Sequence, residues 1–485
     1  MKSHREIFRS SAITGGSQAL QIAIGIIRVK VFAVLLGPAG IGLLGIYQSI
    51  TGVATTVAGC GLGKSGVRQI ASSAGSEEVL TAVRRALLFS NVVLGLTGMW
   101  AVWLFREPIA QVGFDGAIQA NDVGWLGLGV FLALIASSQT TLLQGLRRIG
   151  DLAKVGVISA FVASAAGILC IYKLGESGVV WFVIATPALS IVVASYYTKR
   201  LPQPESNYDW MRVRDQCQSM IKFGMPVMLA GLLNAGTLLF ARSLILHELG
   251  IEASGHFQAS WTISITYLGF ILGAMGTDYY PRLTAAIHSP ENARQLVNEQ
   301  GEMALLLGGA VVLAVITVAP LIMTVLYSSA FKIAGEVLRW QMLGSVIKLI
   351  GWPMGFVVLA SGRSGLFVYT QFVWNAVFLL CLYLLLDEIG LLAVGVGFCL
   401  AYAVGALNVW FVVNKLIGII PTRFNLSLGV SLIALGSSVI YLSGISFALS
   451  LLVGSLMTAI IALFSIRKLN MLIDLSGWLK NWYQR

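Results

Sequence analysis

Long apolar segments separated by short polar stretches run along the whole chain. The apolar runs are continuous, and a continuous run of about 18 or more residues is typical of a helix that crosses a bilayer, whereas the strands of a membrane β-barrel alternate. The pattern therefore predicts an all-α polytopic membrane protein with about fourteen transmembrane helices. Their predicted bounds are 11–36, 41–61, 86–105, 123–143, 155–174, 179–197, 223–246, 255–275, 303–326, 337–359, 366–386, 391–413, 426–443 and 446–466.

The stretch 223–283 is the most informative part of this pattern. It predicts two apolar helices joined by a short polar turn, HELGIEASGH, and the second helix ends in TDYYPRL. One cation, Arg242, lies inside the first helix. A charged side chain in hydrocarbon costs roughly 2.5–3.5 kcal/mol on insertion scales, so such a residue usually faces a polar cavity. The longest predicted loops are 200–219 and 282–300.

The composition agrees with a membrane protein, because 57% of the residues are hydrophobic and only 11% are charged. The basic start MKSHREIFRSSAITGG is similar to a signal peptide, but the apolar run after it is long enough to span, and we expect it to be uncleaved. The five cysteines and four histidines are scattered without a disulfide or metal-ligand spacing. No metal site is expected.

The net charge of +11 follows from the predicted topology. With the N-terminus inside, the cytoplasmic segments hold 24 of the 32 Lys and Arg residues, the outer loops hold three if Lys173 at the outer end of its span is included, and the spans hold the other five. Positive charge concentrates in the cytoplasmic loops of membrane proteins, so we expect both termini in the cytoplasm. The charge therefore gives no reason to expect nucleic acid as a partner.

Three pairs of basic residues recur at one offset along the chain. Arg28 and Arg242 are 214 residues apart, as are Arg68 and Arg282, and Arg148 and Arg363 are 215 apart. This offset favours a duplication into two six-helix lobes that form parallel repeats around a central cavity. The predicted divisions are an N-lobe (1–200), a cytoplasmic linker (201–219), a C-lobe (220–415) and a C-terminal helix pair with a cytoplasmic tail (416–485).

The sequence Gly61-Leu-Gly63-Lys-Ser-Gly66 fits a glycine-rich nucleotide-binding pattern. Such a pattern needs a preceding strand, and here a predicted membrane helix precedes it. The related phosphate-loop pattern also needs a glycine where Ala58 stands. We therefore expect no nucleotide cofactor.

Cations without matching acids characterise the predicted spans. Arg28, Lys30, Arg242 and Lys348 lie within them, and no carboxylate lies in the middle of any span. This favours an anionic substrate, whereas a cation exporter would need buried acids. Snorkelling to the membrane surface is an alternative for Arg242 and explains Arg339, and a structural ion pair is an alternative for Lys348.

A second group of charged residues is predicted near the cytoplasmic face. Asp278 and Arg282 lie four residues apart, and Glu299 and Glu302 stand at the start of the ninth span. With Arg68 from the other repeat, these residues predict a cytoplasmic gate or a site of ion coupling. For Asp278 and Arg282 the alternative is a local ion pair on one helix.

Three groups of residues form motifs in the predicted helices: Lys30, Phe32-Ala33-Val34 and Gly37-Pro38-Ala39-Gly40; then Phe257-Gln258, Ile263-Ser264, Tyr267-Leu268-Gly269-Phe270 and Tyr280-Pro281-Arg282-Leu283; and Trp340-Gln341, Gly344, Lys348 and Gly355-Phe356. These motifs resemble those of the Wzx-type oligosaccharide flippases, and the similarity extends over roughly residues 11–415.

This resemblance implies a multidrug/oligosaccharidyl-lipid/polysaccharide (MOP) exporter fold in the bacterial inner membrane. It implies transport of undecaprenyl-diphosphate-linked sugar repeats to the periplasmic leaflet, with membrane lipids and polysaccharide polymerase or chain-length proteins as partners. Lys30, Arg242 and Lys348 match basic residues of the family, and Arg28 is closer to an arginine of the lipid II flippases. Ile265 and Ser345 stand where members often carry acids.

The expected drive is an ion gradient (H⁺ or Na⁺) or the membrane potential, with no bound cofactor and no covalent chemistry. Asp278 or Glu302 would then substitute for the missing acids. The alternatives are a lipid II flippase and a small-molecule antiporter of the same superfamily. A membrane glycan polymerase or ligase is disfavoured, because the outer loops are too short to hold catalytic residues.

Overall fold

The computed structural model describes residues 2–73, 76–201 and 210–473, and this part of the chain is helical. Its α-helices are α1 (Lys2–Ala58), α2 (Leu62–Ser72), α3 (Glu77–Leu104), α4 (Arg106–Phe114), α5 (Ala120–Gly145), α6 (Ile149–Leu174), α7 (Gly178–Thr198), α8 (Trp210–Ala286), α9 (Pro290–Leu326), α10 (Lys332–Ala360), α11 (Ser364–Ile389), α12 (Leu392–Ile417), α13 (Arg423–Ile445) and α14 (Phe447–Ile473).

Eleven helical segments of the described residues are long and apolar enough to cross a membrane. Three of them, with 46, 50 and 61 residues, are each long enough to cross twice. Each of these contains a glycine with positive φ that interrupts the helix, at Gly37, Gly175 and Gly250. The structure thus accommodates fourteen crossings, and the predicted all-α polytopic fold is confirmed.

The predicted turn HELGIEASGH and the predicted loops are shorter than expected. Helix α8 continues through HELGIEASGH, and only Gly250 leaves the helical region, with φ 83°. Residues 210–219 and 290–300, predicted as loop, belong to α8 and α9, while 202–209 lie outside the described residues. Polar composition misled these predictions, because a helix that extends beyond the bilayer needs no apolar face there.

The positive-φ positions repeat along the chain at nearly the offset of the basic residues. Gly37 and Gly250 are 213 residues apart, and Gly175 and Gly390 are 215 apart, with φ/ψ of 59°/−135° and 56°/−140°. Positive φ is accessible to glycine without steric cost, which explains why glycine stands at these positions. The similar spacing suggests that each pair marks a helix break at equivalent positions of two repeats. The backbone thus supports an internal duplication, while the lobe boundaries remain predictions.

Contacts divide the chain into two units. Unit 1 contains Met1–Gln258 with Leu326–Ser328, and unit 2 contains Ala259–Val325 with Ser329–Arg485. One core cluster of unit 1 is centred on Ile70, Val83, Leu143 and Met220.

One core cluster of unit 2 is centred on Tyr279, Val297, Val357 and Val413. The C-terminal helix pair packs within this unit, because Asn425 of α13 donates from Nδ2 to the Asn298 carbonyl of α9 at 2.8 Å. The last two helices, which the sequence places outside the repeat, are therefore an integral part of unit 2.

Candidate functional site

Within unit 1, α8 runs antiparallel to the second half of α1. A Cβ at Gly255 would lie 3.1 Å from the Gly42 backbone nitrogen, and one at Gly224 would lie 3.0 Å from the Gly61 carbonyl carbon. Glycine permits this close approach because it has no side chain. Ser49 and Arg242 lie between these two crossings in sequence, so the glycines set the register that brings them together.

Arg242 is buried between these helices, with 5% of its surface exposed. Its guanidinium donates from Nη1 to Ser49 Oγ and from Nη2 to Gln258 Oε1. The Phe257 ring centroid lies 5.7 Å from its Cζ, and Arg242 Nε is buried without an acceptor in the described part of the chain. Gln258 in turn donates from Nε2 to Gln48 Oε1 at 3.4 Å.

This burial argues against the alternative that Arg242 snorkels to the membrane surface. The side chain reaches Ser49 of α1 instead, and Gln258 of α8 itself supplies the second neutral acceptor. Sequence reasoning did not identify Ser49 and Gln258 as its partners. The glycine pair Gly42 and Gly255 was the available signal, since small residues at matched positions allow two membrane helices to approach closely.

Arg28 lies elsewhere in unit 1, against α7. Its Cζ is 5.2 Å from the Phe182 ring centroid, and Phe182 packs edge-on against Phe32 at 5.0 Å. The Nε atom of Arg28 is buried without an acceptor in the described residues. Lys30, two residues further along α1, is half-buried. The structure thus groups Arg242 with Ser49 and Gln258, and Arg28 with Phe182.

Lys348 belongs to unit 2 and lies beside a cluster of aromatic rings. Its Nζ is 5.5 Å from the Tyr402 ring centroid. Tyr402 packs against Phe398 at 4.7 Å and Trp374 at 5.3 Å, and Trp374 stacks on Phe378 at 5.4 Å. The Trp374 indole nitrogen is buried without an acceptor in the described part of the chain. An ammonium group over an aromatic face is attracted by the ring quadrupole.

Arg339 was predicted to snorkel, and this interpretation is wrong. Only 1% of its surface is exposed. It donates from Nε to the Ile316 carbonyl at 3.1 Å and from Nη1 to Glu336 Oε1 at 2.6 Å. Pro320 lacks an N–H, so the Ile316 carbonyl loses its helical donor, and Arg339 replaces that donor. Arg339 therefore stabilises the kinked helix α9.

Of the residues predicted as a gate, Arg68 belongs to unit 1 and the others belong to unit 2. Asp278 and Arg282 form an exposed ion pair at 3.2 Å on α8, as the local alternative predicted. Arg68 lies on α2 in unit 1, with its Cζ 4.3 Å from the Phe223 ring centroid.

The two glutamates of the predicted gate lie on α9. Glu299 accepts from Gln295 Nε2 at 2.8 Å, and Glu302 lies 4.0 Å from Lys468 of α14. Glu302 thus connects α9 to the last helix. Whether any of these residues forms a gate stays a prediction.

The electrostatic character of the site follows from these contacts. In the described residues, no carboxylate pairs with Arg28, Arg242 or Lys348, whose contacts are neutral side chains and aromatic rings. The same residues contain no group of three or more His, Cys, Asp or Glu side chains that could hold a metal ion. Uncompensated cations at membrane depth are suited to an anionic ligand.

Known proteins resemble this chain in sequence and in fold. The lipid III flippase of Escherichia coli (strain K12) is 23% identical over 376 residues, which cover 75% of this chain and 87% of that protein. The lipid II flippase MurJ in an inward closed conformation matches with a TM-score of 0.67 at 13% identity, covering 95% of this chain and 99% of that one.

An inward-facing multidrug resistance transporter of the MATE family in the MOP superfamily has a similar fold. It matches with a TM-score of 0.66 at 17% identity, covering 84% of this chain and 98% of that one. These likenesses confirm the MOP fold expected from the sequence. A family model described as "Polysaccharide biosynthesis protein" matches residues 31–335. Because this match covers more than half of the sequence, the chain belongs to the polysaccharide biosynthesis protein family.

Proposed function

We propose that the protein is a flippase for undecaprenyl-diphosphate-linked oligosaccharide repeat units, such as those of O-antigen. It moves them by alternating access from the cytoplasmic to the periplasmic leaflet of the bacterial inner membrane, with both termini in the cytoplasm and without covalent chemistry. The observation that carries this proposal is the burial of Arg242 among neutral partners, on a helix long and apolar enough to cross a membrane. The similarity to a lipid III flippase supports it.

The chemistry of the cations suits a diphosphate. A guanidinium is planar and recognises phosphate oxygens in a bidentate manner, and it stays charged in a membrane. Ser49 and Gln258 accept hydrogen bonds from Arg242 and thereby hold its guanidinium in one orientation. In this proposal, Arg28 and Lys348 provide further positive charge for the diphosphate.

The aromatic cluster beside Lys348 suits the glycan. Aromatic rings are common partners for the apolar faces of sugars, and Tyr402 and Trp374 belong to this cluster. Proteins that polymerise the exported glycan or set its chain length are the expected partners of such a flippase.

Transport in reconstituted vesicles tests this function. The purified protein is inserted into liposomes with a fluorescent undecaprenyl-diphosphate trisaccharide, and a membrane-impermeant reagent measures how much label reaches the opposite leaflet. We expect protein-dependent exchange of this lipid and none of the same trisaccharide on a neutral lipid. Exchange of both lipids at equal rates, or of neither, would exclude the proposed function.

Lipid II is the second candidate substrate. The lipid II flippase structure covers 95% of this chain, against 84% for the MATE transporter. Adding unlabelled lipid II to the vesicle assay separates the two candidates. A trisaccharide flippase is expected to be little inhibited by it, whereas a lipid II flippase would be inhibited in proportion to its amount.

Substitution Lys348→Gln is expected to lower the exchange rate by about fivefold, because roughly 1 kcal/mol of attraction is lost with an incompletely buried charge. The vesicle assay measures the rate at equal protein amounts. Lys348→Arg keeps the charge and is the control, with an expected rate within about twofold of the unsubstituted protein. A Lys348→Gln protein with an unchanged rate would contradict a role for this cation in binding.

A further inference from the structure

Three tryptophans form a ladder across three helices of unit 1. Trp103 of α3 packs against Trp125 of α5 with ring centroids 5.8 Å apart, and Trp125 packs against Trp181 of α7 at 5.7 Å. Trp125 and Trp181 are 42% and 41% exposed, and Trp103 is half-buried. This tryptophan ladder therefore lies at the surface of unit 1.

Gly124 and Arg106 fix the position of Trp103 in the ladder. A Cβ at Gly124 would lie 2.8 Å from Trp103 Cε3, closer than a real Cβ approaches, so only glycine lets the indole lie against α5 here. Arg106 donates from Nη1 to the Trp103 carbonyl at 3.0 Å, and its Cζ lies 5.1 Å from the ring centroid. Trp103 is thus held by the backbone of α5 and by a cation just beyond α3.

The ladder coincides with the ends of three predicted spans, 86–105, 123–143 and 179–197. Each tryptophan lies two residues inside the end that the predicted topology places at the outer face. Charged residues stand within five residues beyond each tryptophan: Arg106 and Glu107, Asp122, and Glu176. The ladder therefore marks one level at which three helices change from apolar to polar.

The surroundings of the ladder fit a lipid surface. Leu104 and Phe105, next to Trp103, are exposed, and apolar surface is unfavourable in water. Tryptophan combines an apolar ring with an N–H donor and is enriched where hydrocarbon meets the lipid headgroups. Acyl chains can cover the apolar side chains at this level, while headgroup and carbonyl oxygens accept hydrogen bonds.

We propose that the tryptophan ladder is the contact of unit 1 with the interfacial region of the outer leaflet. It fixes the outer boundary of the hydrocarbon at the level of Trp103, Trp125 and Trp181. A boundary at this level keeps the charges of Arg106 and Asp122 out of the hydrocarbon. The inference goes beyond the proposed function, because it concerns the membrane and not the transported molecule.

Fluorescence quenching by brominated lipids tests the depth of the ladder. The full-length protein is reconstituted in phosphatidylcholine vesicles whose bromine atoms lie either near the headgroup or at the ends of the acyl chains. The fluorescence lost on substitution Trp181→Phe is the signal of Trp181. We expect bromine near the headgroup to quench this signal at least about twofold more than bromine at the chain ends, because interfacial tryptophans lie at headgroup level.

Two further variants keep this measurement decisive. Trp125→Phe is expected to give the same result, and it replaces the first variant if that protein fails to fold. The matched control is Trp374→Phe, because Trp374 lies near the middle of the predicted span 366–386. The signal of Trp374 is expected to be quenched no more by bromine near the headgroup than by bromine at the chain ends.

Thiol labelling tests which leaflet the ladder contacts. Glu176 is exposed and lies just beyond the ladder, and Glu176→Cys is treated with a membrane-impermeant maleimide in intact spheroplasts. We expect labelling as complete as after permeabilisation. The unsubstituted protein, with its five native cysteines, measures the background.

Four outcomes would overturn the proposal. The first is stronger quenching of Trp181 and Trp125 by bromine at the chain ends, and the second is no quenching by either lipid. The third is labelling of the Glu176→Cys protein only after permeabilisation. The fourth is loss of the quenching when the trisaccharide-linked lipid is added, because the ladder would then contact the glycan.

Discussion

Substitution Arg242→Gln is expected to slow leaflet exchange of a diphosphate-linked trisaccharide by about 10- to 100-fold, because a hydrogen bond to a charged group contributes about 1.5–3 kcal/mol. The Arg242 residue is 5% exposed and has no acidic partner in the described residues, so its charge is not neutralised within that part of the chain. Glutamine keeps a hydrogen-bonding amide of similar breadth but removes the charge. The vesicle assay with the fluorescent lipid measures the rate.

Two controls separate charge from structure at this position. Arg242→Lys keeps the charge but loses the bidentate geometry, and we expect a rate between those of the Gln variant and the unsubstituted protein. Arg147→Gln removes an exposed arginine of the same unit and is expected to leave the rate unchanged. Equal rates for Arg242→Gln and Arg147→Gln would refute the assignment of Arg242 to the substrate.

Substitution Gly255→Ala is expected to lower the free energy of unfolding by about 3 kcal/mol, the upper end of the range for overpacked sites. A methyl group there meets the Pro38 carbonyl oxygen and lies 3.1 Å from the Gly42 nitrogen. These are backbone atoms of α1, which cannot rotate away as a side chain would. Heat-induced unfolding in detergent, followed by circular dichroism, measures the loss as a lower melting temperature.

Gly236→Ala on the same helix is the matched control. A Cβ at Gly236 has no neighbouring atom within 4 Å, and its φ is not positive. Alanine there removes the helix penalty of glycine, so we expect a change within about 1 kcal/mol of zero, in the stabilising direction. Equal melting temperatures for the two variants would contradict the close crossing of α1 and α8.

The sequence was sufficient to predict the class of fold, because hydropathy alone indicates which segments can insert into a bilayer as helices. It could not predict that Gly250 would be the single break within HELGIEASGH. Polar residues at a membrane surface fit a helix as well as a loop, and only glycine's positive φ distinguishes the break. The spacing of Arg28 and Arg242 predicts a repeat, and the spacing of the positive-φ glycines Gly37 and Gly250 supports this prediction.

The sequence could not predict which residues contact the cations. Arg339 lies near a helix end, where snorkelling is the ordinary expectation, and its burial follows from a proline on another helix that frees the Ile316 carbonyl. In the same way, the contact of Arg242 with Ser49 joins residues 193 positions apart. Tertiary contacts of this kind depend on helix register, which periodicity in one segment does not encode.

In the proposed function, three cations of the membrane-spanning helices carry a diphosphate headgroup across the membrane. The most direct measurement is leaflet exchange by a protein in which Arg28, Arg242 and Lys348 are all replaced by Gln, compared with the unsubstituted protein in the same vesicles. At equal reconstitution and with circular dichroism verifying helix content, we predict that the triple variant loses exchange of the undecaprenyl-diphosphate trisaccharide. Unchanged exchange by the folded triple variant would contradict the claim.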